Sequence, residues 1–265
     1  MSSHRTPLAL TLVVALLLVI IVAPLAVPVA MSISDTPYIA FPPEGFTLEW
    51  YVAVLTDPEA QAALWVSLRL AACATLLALA MGIPCAMALV RYRFPGRGAV
   101  LSLVLGPLVV PLIVTGVGLL QFFSALGMRG AFWQLLLGHT VVCLPYVVRS
   151  VTGSLTTADP ALEDAARVLG AGPVALFVRV LWPQMRPGVA AASIFAFIIS
   201  FDDFAISMWL SDARNFPLPL YLYAAIQRMF DPSIAALSAL MVAFALGLVL
   251  LIEKGLGIGV RRIAE

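Results

Sequence analysis

Charge is what this sequence has least of. Acidic and basic residues make up 11% of its 265 residues, under half of the roughly 25% typical of a soluble domain. Hydrophobic residues make up 62%, and the mean hydropathy is +1.05. So few charges cannot clothe a water-facing surface, so most of the surface must meet lipid or other apolar protein. A net charge of +1 supplies no basic field and argues against nucleic acid as a partner. Lysine is nearly absent: Lys254 stands alone, after Glu253. A phosphate-cradling loop needs Gly-Lys-Ser/Thr, so the chain has no such ATP site of its own. Its two histidines, His4 and His139, lie far apart in sequence. Cys73, Cys85 and Cys143 sit within apolar runs without CxxC or His/Cys spacing, which reads as packing rather than disulfide or metal ligation. No cofactor, metal or catalytic group is expected. The intramembrane Ser/His/Asp groupings that an embedded enzyme would need are missing.

What is present is long apolar sequence. A spanning helix takes about 20 apolar residues, and six segments qualify, at about 8–30, 64–90, 100–126, 133–151, 188–210 and 234–252. Pro24, Pro84, Pro107, Pro111 and Pro145 interrupt them, as packed membrane helices tolerate. The first segment follows His4 and Arg5 but lacks an A-x-A cleavage site, so it reads as a span rather than a signal peptide. With the N-terminus inside, eleven of the 15 basic residues fall on the cytoplasmic side: Arg5, Arg91, Arg93, Arg97, Arg149, Arg167, Arg179, Arg186, Lys254, Arg261 and Arg262. The loop 31–59 has no Lys or Arg but carries Asp35, Glu44, Glu49, Asp57 and Glu59. The asymmetry predicts an all-α polytopic protein with six spans, N-in and C-in. The outer loop reads as solvated, with a short interfacial helix around 46–55, the alternative being a docking surface for an external partner.

Two acids fall inside the fifth apolar segment. An ionised Asp at a helix centre costs about 2.5–3.5 kcal/mol on insertion scales, so such groups face a cavity or a partner. On a continuous helix, Ser193, Ser200, Asp203, Ser207 and Ser211 form one small polar stripe, beside Phe197, Phe201, Phe204 and Met208. Asp202 aligns instead with Ile198, Ala205 and Trp209. Pattern therefore puts Asp203 on the pathway or on an inter-subunit face. An anionic lining near aromatic rings suits an organic cation. The competing reading pairs one Asp with an Arg such as Arg69, or with a partner helix. His139 and Gln121 read as helix-packing hydrogen-bonders, and Thr115, Gly116 and Gly118 as close-contact positions.

The segment 157–183 is polar enough to leave the membrane. Asp159 is an N-cap with Pro160 at the first helical position, and Gly170 is a stop signal. Gly172-Pro173 restarts a helix expected to end before Pro183. Leu162, Ala165, Ala166 and Leu169 share one face, leaving Glu163, Asp164 and Arg167 mainly on the rest. Such a hairpin either lies in the lipid interface or inserts into a groove on a partner.

The spacing Asp164-Ala165-Ala166, three residues, Gly170, nine residues, Val180, one residue, Trp182-Pro183 resembles the EAA signature, EAA-x3-G-x9-I-x-LP, of ABC-transporter importer permeases. The departures are Asp for Glu, Val for Ile and Trp for Leu. Ser200-Phe201-Asp202-Asp203-Phe204, Leu218-Pro219-Leu220 with Tyr223, and Gly138-His139 with Leu144-Pro145 resemble the spermidine/putrescine (PotC-type) permeases. The similarity covers nearly all of the chain beyond about residue 60.

The resemblance implies a type I importer permease fold in the bacterial inner membrane. The hairpin would be the coupling helix, with Glu163, Asp164, Ala165, Ala166, Gly170 and Pro183 engaging a cytoplasmic ATP-binding dimer. It also implies a second permease chain, an extracytoplasmic substrate-binding protein and a polyamine cargo. The pathway residues would be Asp203, Asp202, Phe201, Phe204, Ser200, Ser207 and Trp209, with Asp202 included mainly through the resemblance. Ferric iron, thiamine, phosphonates or opines are the alternative cargoes of the same fold class. A channel working without any ATPase is the alternative of a different class.

Overall fold

The computed structural model describes residues 8–38, 41–228 and 232–256. Arg5, Arg261 and Arg262, which the topology reading used, lie outside them, as does the side chain of Lys254. Among the described residues the regular structure is helical: α1 (Leu8–Met31), α2 (Glu49–Thr56), α3 (Pro58–Arg91), α4 (Arg97–Leu105), α5 (Leu112–Ala125), α6 (Ala131–Thr157), α7 (Pro160–Val168), α8 (Pro173–Leu176), α9 (Trp182–Phe201), α10 (Ser207–Leu210), α11 (Leu218–Arg228) and α12 (Ser233–Leu256). Among the described residues four helical stretches are long and apolar enough to cross a membrane, or five if the bent pair α4–α5 is one span.

Contacts divide the chain into two compact units. The first holds the described part of 1–61 together with Leu222–Leu246. Within it, side chains of α1 are exposed from Leu10 to Val27. The loop expected to be solvated is tied down by hydrogen bonds. Trp50 Nε1 donates to the Ser34 carbonyl at 2.8 Å, the Ser32 and Tyr51 hydroxyls meet at 2.6 Å, and Thr47 N–H reaches the Ile33 carbonyl at 2.9 Å. The expected short helix is α2.

The second unit, mainly Ala62–Tyr221, is built around α6. Ala78, Ala86 and Leu89 of α3 pack with Cys143, Val147, Val151 and Leu155 of α6 and with Met185, Ala192 and Ala196 of α9. A second cluster joins Leu70 and Ala74 of α3, Phe123 of α5, Leu135 and Val142 of α6, and Ile206 and Leu210 near α10. The α6–α9 approach depends on Gly188. A Cβ there would collide with Ser154 Oγ and stand 2.8 Å from the Ser150 carbonyl, while Ser150 Oγ donates to the Gly188 carbonyl at 2.9 Å.

Three segments differ from the uninterrupted helices that apolar patterning suggests. The third segment, 100–126, bends by 109° between α4 and α5, because Pro107 and Pro111 withhold two N–H donors. The second hairpin helix does not stop before Pro183. It runs on through a π-helical turn, Phe177–Leu181, into α9. Trp182 N–H bonds the Phe177 carbonyl five residues back, and this wider turn accommodates the imide of Pro183, which can neither donate nor clear the Arg179 carbonyl in a tight helix. The fifth segment, 188–210, ceases to be helical after Phe201 and resumes only at Ser207.

Gly188→Ala overpacks the α6–α9 contact. It should lower stability by about 1–3 kcal/mol, read as an earlier thermal melt of the purified protein, whereas Gly118→Ala, where a Cβ meets nothing within 4 Å, should melt like the parent.

Candidate functional site

The hairpin begins as the caps dictate. Asp159 accepts from Ala161 N–H at 2.9 Å, and Pro160 opens α7. Gly170 closes it at φ +82°, with Ala171 N–H on the Ala166 carbonyl at 2.9 Å and Gly170 N–H on the Arg167 carbonyl at 3.0 Å, the paired bonds of a Schellman stop.

The faces of α7 are the reverse of an ordinary amphipathic helix. Glu163 is buried, at 3% exposure, while Leu162 is 52% and Val168 and Leu169 are each 87% exposed. Val174 and Val178, beyond the turn, are exposed as well. Glu163, expected mainly on the outer surface, instead points inward because a cation waits there. Arg91 Nη2, at the end of α3, stands 2.6 Å from Glu163 Oε1, and Arg167 lies 3.2 Å from its other oxygen. Arg167 also bonds the exposed Asp164 at 2.7 Å. The Arg91–Glu163 approach is not an aligned hydrogen bond: Arg91 Nε and Nη2 and Glu163 Oε1 all lack one. Charge therefore holds α7 to α3, in a setting with little water to screen it. Ala165 is exposed and Ala166 half-buried. Pro183 lies in the first turn of α9.

The second candidate region is the break 202–206. The five-member stripe expected on one helix is cut there, yet three of its members still converge, on His139 of α6. Its Nδ1 is 2.8 Å from Ser200 Oγ and its Nε2 is 3.1 Å from Ser207 Oγ. Asp203 Oδ1 accepts from the Ile206 and Ser207 N–H groups at 2.8 and 3.1 Å and lies 3.9 Å from His139 Nε2. Ser200, Phe201, Asp203 and Ser207 are buried, Phe204 and Trp209 half-buried, and Asp202 is exposed. Phe201 stacks on Phe197 at 6.0 Å. Trp209 lies against Gly116, where a Cβ would stand 2.7 Å from its ring. Arg69 lies 4.3 Å over the Phe132 ring and 3.5 Å from Asn215 Oδ1.

Sequence patterning missed two partnerships, Arg91 with Glu163 and His139 with both serines; the second, with Asp203 beside it, is a Ser/His/Asp grouping that the sequence was expected to lack, assembled from separate helices. Each joins residues on different helices, and periodicity within one helix carries no signal for that. The one available hint was Glu163 itself, an acid beside the apolar positions of α7.

A family profile described as "Binding-protein-dependent transport system inner membrane component" matches residues 74–262. The chain is 33% identical over 208 residues to the "Spermidine/putrescine transport system permease protein PotC" of Haemophilus influenzae, covering 78% of this chain and 81% of that one. It is 32% identical over 251 residues to the "Molybdenum transport system permease protein ModB" of Mycobacterium tuberculosis, covering 87% and 92%. A chain of a bacterial alginate ABC transporter, crystallised with an alginate pentasaccharide-bound periplasmic protein, has the same fold: TM-score 0.70 at 17% identity, over 93% of this chain and 92% of that one.

Removing Glu163 alone should cost more than removing it together with Arg91. Glu163→Leu should destabilise by about 1–3 kcal/mol because Arg91 loses its anion, Arg91→Met should cost less because Arg167 still pairs with Glu163, and the double variant should melt closer to the parent than Glu163→Leu alone. Additive losses in thermal unfolding would mean that the pair contributes no coupling.

Proposed function

Since this chain belongs to the family of binding-protein-dependent transport system inner membrane components, we propose that it forms half of the translocation pathway of an ATP-driven importer for a small organic cation, most plainly a polyamine. It is a multi-pass inner-membrane permease. The membrane topology that fits is six spans with both termini inside, the bent α4–α5 pair and α12 completing the set. The loop between α6 and α9 then lies in the cytoplasm, where most of the basic residues gather.

The observation that carries the reading is the exposed apolar crest of the hairpin. Leu162, Val168, Leu169, Val174 and Val178 face outward, and a water-facing loop has no reason to display them. A groove on an ATP-binding subunit would bury them, in the manner of a helix laid in a groove. Closure of an ATPase dimer would push on α7, and the Arg91–Glu163 contact would carry that push into α3, as rigid-body motion. Asp164, Ala165, Ala166 and Gly170 shape the docked face. A second permease chain and an extracytoplasmic binding protein would complete the assembly; for the second, the alginate transporter in complex with a periplasmic protein is the support.

For the cargo, the identity to the spermidine/putrescine permease and the exposed Asp202 beside Phe201 and Phe204 agree. An exposed carboxylate attracts a cation through its charge. The longer match to the molybdenum permease supports a second reading, an oxyanion cargo. An exposed carboxylate in the pathway would repel an oxyanion, which favours the first.

In proteoliposomes holding this permease, its ATPase and its binding protein, spermidine should be taken up and molybdate should not. The reverse result would transfer the reading to the oxyanion. Asp202→Asn should depress spermidine uptake about tenfold, the worth of one ion contact near 1.4 kcal/mol, with assembly intact. Leu169→Glu should abolish co-purification of the ATPase while leaving the permease's own melting temperature unchanged. Retention of the ATPase would remove the hairpin from its docking role.

A further inference from the structure

His139 was expected only to pack helices, and the transport reading gives it no part. Its surroundings say more. The helix of the fifth apolar segment stops at Phe201 and restarts at Ser207, and the imidazole bonds one serine on each side of the gap, Ser200 at 2.8 Å and Ser207 at 3.1 Å. Between them Asp203 folds back on the Ile206 and Ser207 N–H groups, answering donors that the missing helical turn leaves free. All four side chains are buried. Every one of them is bonded, the condition under which a buried polar network fixes a single geometry.

The residue before His139 contributes as well. A Cβ on Gly138 would stand 2.7 Å from Leu210 Cδ1 and 2.9 Å from Ile206 Cγ2. The bare backbone of α6 thus lets α10 approach close enough for the imidazole to reach Ser207. Asp202 is the one residue of the Ser200–Phe204 stretch left exposed, and it sits between the two clamped serines.

We propose that His139 is a positioning residue: its two ring nitrogens clamp Ser200 and Ser207, hold the α9–α10 break open at a fixed shape, and so determine where Asp202 is presented. The proposal deepens the transport reading and rests on it only where uptake is concerned. A clamp of this kind explains why an imidazole stands here. It is compact, rigid, and offers a donor and an acceptor on opposite edges of one ring.

The test uses the assembled complex of permease, ATPase and binding protein in proteoliposomes. The first measurement is the alkylation rate of a cysteine introduced as Asp202→Cys, followed by peptide mapping so that Cys73, Cys85 and Cys143 do not interfere. Replacing His139 by Phe, which keeps the ring and removes both bonds, should change that rate about tenfold, the scale of one or two lost hydrogen bonds. The Ser200→Ala/Ser207→Ala pair should reproduce the change, and it decides the matter if the His139→Phe complex fails to assemble. His139→Gln, which keeps a donor and an acceptor, should restore part of it.

The second measurement, with Asp202 native, is spermidine uptake. The His139→Phe variant should raise KM more than it lowers kcat. An unchanged alkylation rate in an assembled His139→Phe or double-serine variant overturns the clamp. Altered alkylation with unaltered uptake upholds the clamp and instead removes Asp202 from the pathway.

Discussion

Hydrocarbon offers a peptide group no hydrogen-bond partner, so the protein must answer every backbone N–H and C=O that it takes into the bilayer. That constraint explains the long helices, and it explains more sharply what happens where they fail. Between α4 and α5 the turn is made with prolines, which have one donor fewer to satisfy, and Val109 and Val110 N–H both return to the Gly106 carbonyl at 3.0 and 3.2 Å. Ahead of α9 the helix widens by one residue and keeps its ladder. Between α9 and α10 a carboxylate takes two orphaned N–H groups. Each break carries its own compensation, so each can serve as a fixed feature of the fold.

The hairpin obeys a different rule. An amphipathic helix packed on a protein normally turns its apolar side inward, and α7 does the opposite. Burying Glu163 costs free energy unless an opposite charge is at hand, and the end of α3 supplies it in Arg91. This exchange leaves the leucines and valines outside. The anchoring charge and the exposed Leu162 and Val168 are two sides of one helix, one holding it to α3 and the other left uncovered.

Membrane class, the approximate position of the apolar segments, the caps at Asp159 and Gly170, and the family resemblance were all legible in the sequence, because each rests on composition or on residues close together in the chain. Gly116 and Gly118 were both read as close-contact positions; Trp209 does lie against Gly116, whereas nothing lies within 4 Å of a Cβ at Gly118. The limits of the fifth helix were not legible. An apolar run looks the same whether or not it is continuous, so the stripe through Ser193, Ser200, Asp203, Ser207 and Ser211 assumed a helix that stops at Phe201. The run of the second hairpin helix through Pro183 was hidden for a similar reason: proline marks a lost hydrogen bond, and the pattern does not reveal the π-helical turn that absorbs it.

By itself the sequence determined that this chain lives in lipid, lacks its own nucleotide loop and carries a capped hairpin between apolar segments, since hydropathy, motif spacing and capping act within a few turns of one helix. Tertiary structure alone decided that Glu163 faces Arg91, that His139 grips both sides of a broken helix, and that Asp203 is turned inward while Asp202 is left exposed. Those outcomes depend on which side chains of separate helices meet, and a free energy of pairing between residues 61 or 72 positions apart leaves no mark on local pattern.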